Sequence, residues 1–201
     1  MTRHRQQTGR NVQNNRREGF IRIISGRLRG RKLPVHDVEG LRPTTDRVKE
    51  TIFNWLSQDI HQAKCLDLFA GSGSLGFEAL SRGAENITML ELDKKAANQL
   101  QQNLATIGET NAEVINTDSL KYLAQPGTPH DVVFIDPPFR KDLIQNVIDL
   151  LEANHWLTPH AMIYIEAEKE LGELTTPAHW RLHREKTAGQ VCYRLFEREE
   201  A

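Results

Sequence analysis

Residues 66–76 read LDLFAGSGSLG, which places three glycines in the spacing Gly-x-Gly-x-x-Gly directly after a strand-like segment. Gly71 and Gly73 let the backbone turn tightly and approach a ligand, and a helix that begins after such a turn presents free amide groups. Glu91 follows twenty residues after Gly71, at the end of the next predicted strand, where its carboxylate can accept hydrogen bonds from both hydroxyls of a ribose. The stretch therefore predicts a cofactor site between a strand and a helix.

A regular alternation of strands and helices extends from this turn. Strands are predicted at residues 64–69, 86–91, 113–116, 131–135 and 161–165, and the longer helices at 74–82, 94–107 and 142–153. Strands separated by helices form a parallel, doubly wound sheet. Two further strands, at 180–186 and 191–196, are joined by a short turn and add an antiparallel hairpin at the edge. The predicted fold class is α/β, with a Rossmann-like, mostly parallel sheet of seven strands.

A small extension is predicted ahead of the sheet. Residues 20–34 form a β-hairpin with its turn at 25–26, and the basic residues that alternate along its second strand share one face. A helix follows at 45–56, where three oxygen-bearing side chains at 44–46 can cap its first turn.

Composition limits the classes to which the chain can belong. Hydrophobic residues make up 38% of the 201 residues, and the longest apolar run, at 132–135, is far shorter than the ~20 residues of a membrane helix. The polar start lacks the apolar stretch of a secretory signal. The two cysteines, Cys65 and Cys192, form no zinc-ligand spacing with histidine. We therefore expect a cytoplasmic, globular protein without a metal or a membrane segment.

The net charge of −1 conceals an uneven distribution. Residues 1–32 contain ten arginines and lysines against one acid, Glu18, and carry +9, whereas the remainder carries −10. A basic segment of this kind favours contact with a polyanion. For the tail at 1–18 a solvated segment that only aids solubility is an equally good interpretation, because its composition lacks a core-forming pattern.

The cofactor site could hold NAD or S-adenosylmethionine (SAM), and Asp67 distinguishes the two. An acid at the end of the first strand disfavours the pyrophosphate of a dinucleotide, whereas SAM carries an ammonium and a sulfonium and no phosphate. The residues predicted to bind SAM are Asp67, Phe69, Ala70, Gly71, Ser72, Gly73, Glu91, Leu92, Asp118 and Ser119. Asp118 is placed to accept from the adenine amine, or to cap a short helix at 119–123, and the two roles are compatible.

A second motif follows the fourth strand directly and reads Asp136-Pro137-Pro138-Phe139. The Asp136 carboxylate and the Pro137 carbonyl can both accept hydrogen bonds from an exocyclic NH₂ group and so aim its lone pair at the SAM methyl group. The prolines fix the backbone, and Phe139 can stack on a base taken out of its helix. The motif predicts direct methyl transfer to a nucleobase amine, although two prolines could also make a rigid loop without a catalytic role.

Five segments together carry a family resemblance. They read RIISG at 22–26, RGRKLP at 29–34, LRPTTDRVKE at 41–50, DLFAGSG at 67–73 and DPPF at 136–139. In these motifs the chain resembles the RsmD family of bacterial 16S ribosomal RNA guanine-N2 methyltransferases. The resemblance implies a class I SAM-dependent methyltransferase fold and, as acceptor, one guanine of 16S rRNA in an assembling small subunit. It also implies that residues 136–139 orient the base, that Glu91 holds the ribose and that Asp118 holds the adenine.

The resemblance gives the basic extension a role in RNA binding. The predicted contacts to RNA phosphates are Arg22, Arg27, Arg29, Arg31, Lys32 and Arg42. The segment at 42–45 is expected to lie over the SAM pocket, although Thr44 and Thr45 could merely cap the helix. The chain is thus divided into a basic disordered tail at 1–19, an RNA-binding hairpin and helix at 20–58, and a methyltransferase domain at 59–201, and we expect a monomer.

Two other functions stay open at this point. The order Asp-Pro-Pro-aromatic also serves adenine amines, so the chain could be a DNA adenine-N6 methyltransferase, although it lacks a separate DNA-recognition domain. It could also be a non-catalytic RNA-binding assembly factor that retains a methyltransferase fold, which the intact acidic and DPPF motifs disfavour.

Overall fold

The structure is a computed structural model and describes residues 19–36, 44–139 and 143–200. The tail at 1–18, with its predicted disorder, and Arg42 lie outside the described residues. In chain order the elements are β1 (Gly19–Arg22), β2 (Lys32–Val35), α1 (Asp46–Trp55), β3 (Lys64–Asp67), α2 (Ser74–Ser81), β4 (Asn86–Glu91), α3 (Lys94–Ile107), β5 (Ala112–Asn116), α4 (Ser119–Leu123), β6 (His130–Ile135), α5 (Leu143–Ala153), β7 (Leu157–Glu168), β8 (Trp180–Ala188) and β9 (Val191–Arg198).

Seven strands form one sheet in the order β5-β4-β3-β6-β7-β9-β8. Strands β3 to β7 are parallel, whereas β9 pairs antiparallel with both β7 and β8. The chain moves outward from β3 to β5 in one direction and then from β6 to β7 in the other. The order therefore reverses between β3 and β6, the point at which such sheets bind ligands. The predicted α/β fold, a seven-stranded, mostly parallel sheet with a C-terminal hairpin, is confirmed.

Buried side chains cover both faces of the sheet. One cluster packs the hairpin and helices α1, α2 and α3 against Cys65, Phe134 and Tyr164. The other packs α4 and α5 against Val133 and Ile163. Because successive residues of a strand point to opposite faces, β6 contributes to both clusters, and its four apolar residues at 132–135 are fully buried.

The N-terminal hairpin differs from its prediction in its connection. β1 and β2 pair from Gly19 opposite Val35 to Arg22 opposite Lys32, and residues 23–31 form a loop rather than a two-residue turn at 25–26. The loop leaves the strand geometry because it bends toward α2. The predicted row of cations along one strand face is therefore wrong.

Two other boundaries bear on the site. Helix α1 begins as predicted, with the hydroxyl of Thr45 accepting from the Val48 N–H (3.3 Å). Strand β7 is longer than the predicted 161–165, because β9 continues to pair with it as far as Glu168. None of the helices in the described ranges has both the length and the apolar composition of a membrane span.

Candidate active site

The loops that follow the central strands meet where the strand order reverses. The N–H of Leu68, after β3, donates to the carbonyl of Phe134 on β6 (3.1 Å), and the N–H of Ala70 donates to that of Leu90 on β4 (2.9 Å). These bonds hold the glycine turn between its neighbouring strands. The predicted cofactor residues at 67–73, 91–92 and 118–119 therefore lie at the same sheet edge as the loop at 136–139.

The glycine turn has the backbone that its sequence predicts. Gly71 has a φ of 53° and Gly73 a φ of 78°, both in the left-handed region. A Cβ on Gly73 would lie 2.5 Å from Cε2 of Phe77 and 2.6 Å from Cδ2 of Leu100. Gly73 is also the residue that caps α2, so the turn brings the amide end of that helix to the site.

Asp67 lies at the end of β3 and is 1% exposed. Its carboxylate accepts from the backbone N–H of Phe69 and of Gly76, in the first turn of α2, and so replaces the capping side chain that Gly73 lacks. Its other oxygen, Oδ1, is buried without a hydrogen-bond partner in the described part of the chain. Burial, followed by the negative charge of Glu91, raises the pKa of Asp67 to about 7, and the amide hydrogen bonds oppose this.

Glu91 joins the glycine turn to the end of β4. Its Oε2 accepts from the N–H of Gly71 (2.8 Å) and its Oε1 from the N–H of Asp93 (2.8 Å). Each carboxylate oxygen has a second lone pair, so the group can still accept from a ligand hydroxyl. Leu92, the next residue, is 69% exposed and presents an apolar surface beside it.

The segment after β5 combines a helix cap with a bond to the glycine loop. Asp118 caps α4 by accepting from the Lys121 N–H (3.0 Å), which confirms the capping interpretation. The buried hydroxyl of Ser119 donates to the carbonyl of Leu68. Its single proton is therefore committed to the protein, and only its lone pairs remain to meet a ligand.

The loop after β6 combines an acid of raised pKa with an exposed ring. Pro137 is buried, whereas Phe139 is 41% exposed. Burial and then the charges of Glu166 and Asp67 hold the pKa of Asp136 well above its ordinary value. Since Ile135 pairs with Ile165 in the β6–β7 register, Glu166 is the corresponding residue on the neighbouring strand. The site edge is thus rich in carboxylates and suits a cationic ligand.

Two residues near this edge were missed by the sequence analysis. Ser74, the first residue of α2, has a buried hydroxyl without a partner among the described residues. It lines a cavity of about 300 Å³ whose walls include Phe20, Thr44 and Thr45. The second is Glu166. In the sequence, Ser74 stands at the start of a predicted helix and Glu166 directly follows a predicted strand. Neither position indicates a site until the pairing of the strands is known.

A larger cavity, of about 450 Å³, opens at the amino ends of the parallel strands, on the side of the sheet opposite the glycine turn. Its walls include Lys64, Asn86 and His130, at the starts of β3, β4 and β6. It contains none of the predicted cofactor or catalytic residues. Because ligands of doubly wound sheets bind at the carboxyl ends of the strands, we assign the functional site to the edge with the glycine turn.

The basic residues of the hairpin do not behave alike. The side chains of Arg22, Arg29, Arg31 and Lys32 are exposed. Arg27 is different, because its guanidinium is bonded through both terminal nitrogens to the carboxylate of Glu109, with 2.6 Å between Nη2 and Oε2. Among the predicted RNA contacts that the structure describes, Arg27 is therefore the one already engaged by an acid.

Comparisons with known proteins show which family the chain belongs to. The family model described as Conserved hypothetical protein 95 matches residues 21–197. The protein named ribosomal RNA small subunit methyltransferase D in Escherichia coli strain K12 is 59% identical over 181 residues, which cover 90% of this chain and 91% of that protein. The protein of the same name in Haemophilus influenzae is 58% identical, with coverages of 92% and 98%.

Solved structures give the same result. The structure of yhhF from Escherichia coli matches with a TM-score of 0.87 and 56% sequence identity, covering 91% of this chain and 100% of that one. HI0767 from Haemophilus influenzae matches with a TM-score of 0.80 and 55% identity, covering 90% and 100%. Because the family model spans most of the chain and these relatives share more than half of the aligned residues, the chain belongs to the RsmD family that its motifs predicted.

Proposed function

We propose that this protein transfers a methyl group from SAM to the exocyclic N2 amine of one guanine in 16S rRNA of the assembling small subunit. The family and the names of its relatives indicate an rRNA methyltransferase. The observation that carries the proposal of an exocyclic amine as acceptor is the position of the loop at 136–139 beside the glycine turn, at the reversal of the strand order.

Two buried polar atoms support SAM as the cofactor. Oδ1 of Asp67 requires a donor, and the Ser74 hydroxyl can donate to a carboxylate. The amino acid part of SAM offers both an ammonium and a carboxylate. The remaining lone pairs of Glu91 suit the ribose hydroxyls, and Leu92 suits the flat face of the adenine. A dinucleotide would instead bring its pyrophosphate toward Asp67 and Glu91, which like charge disfavours.

The residues of the loop at 136–139 make the guanine amine, a poor nucleophile, able to attack the methyl group. SAM, when bound, supplies an activated methyl group on a sulfonium. The Asp136 carboxylate and the Pro137 carbonyl each accept a hydrogen bond from one N–H of the guanine amine. These bonds reduce the delocalisation of the amine lone pair into the ring. Phe139 stacks on the base and fixes its plane. Transfer would break the S–C bond of the sulfonium, leaving a neutral thioether, as the N–C bond forms. The methylated amine then carries an extra proton, and the raised pKa of Asp136 makes its carboxylate a suitable acceptor for it.

A methylation assay tests this function. The protein is incubated with methyl-labelled SAM and either small subunits from cells that lack the modification or duplex DNA. We expect label in the rRNA, and mass spectrometry should place it on N2 of a single guanine. Label in DNA alone would instead support the adenine-N6 alternative. SAM binding without labelling of either substrate would support the non-catalytic assembly factor.

The affinity for SAM should fall as the pH decreases through about 7. The Asp67 carboxyl, with its pKa of about 7, is protonated below that pH, whereas an ammonium binds the ionised form. Binding therefore releases a proton, and the affinity drops by up to about tenfold per pH unit for one linked group. Calorimetry between pH 5.5 and 7.5, below the α-amino pKa of about 8, measures both effects.

The matched control for this experiment is Asp67→Asn. The variant retains an oxygen that can cap α2 but has no proton to release. Its SAM affinity should be lower at pH 7.5 and nearly independent of pH. An equal pH dependence in the variant and the wild type would assign the proton to another group, such as Asp136.

Neutralising Arg29, Arg31 and Lys32 to glutamine should weaken binding to RNA and reduce its salt dependence. The three side chains are exposed, and each lost phosphate contact lowers the slope of log K against log salt by about 0.7–0.9. We therefore expect a slope smaller by about 2–3 in binding titrations. Lys64→Gln, which removes a charge at the opposite sheet edge, should leave the slope unchanged, and an unaltered slope in the triple variant would refute the RNA contact.

A further inference from the structure

A buried carboxylate on α2 holds the hairpin loop at 23–31. Glu78 is 0% exposed, and its two oxygens accept from the backbone N–H of Ile24 (2.9 Å) and of Ser25 (3.0 Å), which lie 54 and 53 residues away in sequence. Hydrogen bonds to an ionised acceptor are stronger than those to a neutral one. Two adjacent amides of the loop are thus fixed by one helical side chain.

Ser81, on the same face of α2, adds further contacts with the loop. Its hydroxyl accepts from the N–H of Leu28 (3.0 Å) and donates to the carbonyl of Ser25 (2.6 Å), while its own carbonyl accepts from the N–H of Arg27 (2.9 Å). A Cβ on Gly26 would lie 1.9 Å from that carbonyl oxygen. The loop backbone therefore lies directly on the helix, with room for glycine only.

Two cations compensate the buried charge of Glu78. The Arg82 Nε donates to Oε1 (2.8 Å), and the ammonium of Lys49, 1% exposed, lies 3.8 Å from Oε2. Lys49 also donates to the carbonyl of Arg22 on β1. The hairpin, α1 and α2 thus share one buried polar cluster, and removing a single charged member would leave its partner unpaired.

Helix α2 connects this cluster to the cofactor turn. Its first residue, Ser74, follows Gly73, and its last, Ser81, contacts the loop, a span of about 12 Å at 1.5 Å per residue. From this geometry we propose that Glu78 is a positioning residue for RNA binding: it fixes the loop that carries Arg29 and Arg31 at a set distance from the methyl donor. The inference rests on the proposed function, because the distance matters for activity only if RNA is the substrate.

Two double variants separate positioning from simple structural support. Both replace Lys49 with methionine, so neither leaves that buried ammonium unpaired, and Arg82, whose side chain is 15% exposed, loses its carboxylate partner equally in both. They differ only in Glu78→Gln against Glu78→Leu. Glutamine keeps one acceptor oxygen, which can accept from one of the two loop amides, whereas leucine has none. Glu85→Gln, an exposed change just beyond the same helix, is the control.

The leucine variant should raise the KM for small subunits about tenfold, with kcat and the Kd for SAM changed less than about twofold. The glutamine variant should lie between the leucine variant and the wild type, because it keeps one of the two acceptors. Hydrogen exchange provides a second readout that needs no activity: the amides of Ile24 and Ser25 should both lose protection in the leucine variant, whereas one of the two should keep it in the glutamine variant.

Several results would overturn the proposal. A wild-type KM in the leucine variant would do so, as would equal losses in both variants or a parallel loss of SAM binding. If neither double variant folds, Ser81→Ala provides the test. We expect a smaller rise in KM, and an unchanged KM would contradict the proposal. If the wild type itself methylates no subunits, the proposed function fails, and amide exchange together with direct RNA binding still decides whether Glu78 orders the loop.

Discussion

Replacing Asp136 with alanine is expected to reduce kcat for methyl transfer by about 10²–10³-fold, with little change in the affinities for SAM and RNA. In the proposed mechanism, the carboxylate accepts a hydrogen bond from one N–H of the base and holds the amine for attack. That interaction is strongest in the transition state, where charge develops on the nitrogen, so its loss falls on kcat rather than on binding. Single-turnover methylation with saturating subunits measures this rate directly.

Two further substitutions make the test specific for Asp136. Asp136→Asn keeps a carbonyl oxygen as acceptor and loses only the charge and the basicity, so its rate should lie between those of the wild type and the alanine variant. Asp149→Ala removes an exposed carboxylate on α5 and should leave the rate unchanged. Unchanged methylation by Asp136→Ala would refute the assigned role.

Gly73→Ala is expected to destabilise the protein by about 2–4 kcal/mol and to weaken SAM binding about tenfold or more. The left-handed φ of 78° is strained for alanine, and the new Cβ would lie 2.5 Å from the ring of Phe77. Moving that ring or the turn displaces the amides of the proposed SAM site. Thermal unfolding should show a Tm lower by about 5–15 °C, and calorimetry should show the loss of affinity.

Gly108→Ala is the matched control for this prediction. Gly108 ends α3 with a φ of 72°, but no atom lies within 4 Å of a Cβ placed there. It isolates the backbone strain, about 1–2 kcal/mol, from the clash at Gly73. Equal destabilisation of the two variants, or an unaltered SAM affinity in Gly73→Ala, would show that the close packing of the turn is not required.

The elements with strong local signals could be predicted from the sequence. Helix α3 matches its predicted range of 94–107, because Asp93 caps its start by accepting from Ala96 (2.8 Å) and Gly108 ends it in the left-handed region. The same holds for the strand at 86–91. Because consecutive parallel strands direct their ends to one edge, the meeting of the glycine turn with the loop at 136–139 also follows from the order of elements.

The contacts that depend on distant parts of the chain could not be predicted. The loop at 23–31 takes its shape from Glu78 and Ser81, which follow it by some fifty residues. Lys49 gives no sign in the sequence of being buried, because its environment is assembled from three separate elements. Glu166 lies near Asp136 only through the β6–β7 register, which hydrophobic patterns do not specify.

Asp67 has two roles, the cap of α2 that the structure shows and the contact with SAM that we propose, and together they limit which residues can replace it. Burial raises the pKa of Asp67 from 3.8 to about 7. Between these pH values the folded protein holds more protons than the unfolded one, so the free energy of unfolding falls as the pH increases. Asparagine at this position would avoid that loss while retaining an oxygen for the helix cap. Selection for heat tolerance alone, in alkaline surroundings, would therefore favour a more stable protein without the carboxylate that we propose binds SAM, so stability and activity oppose each other at one side chain.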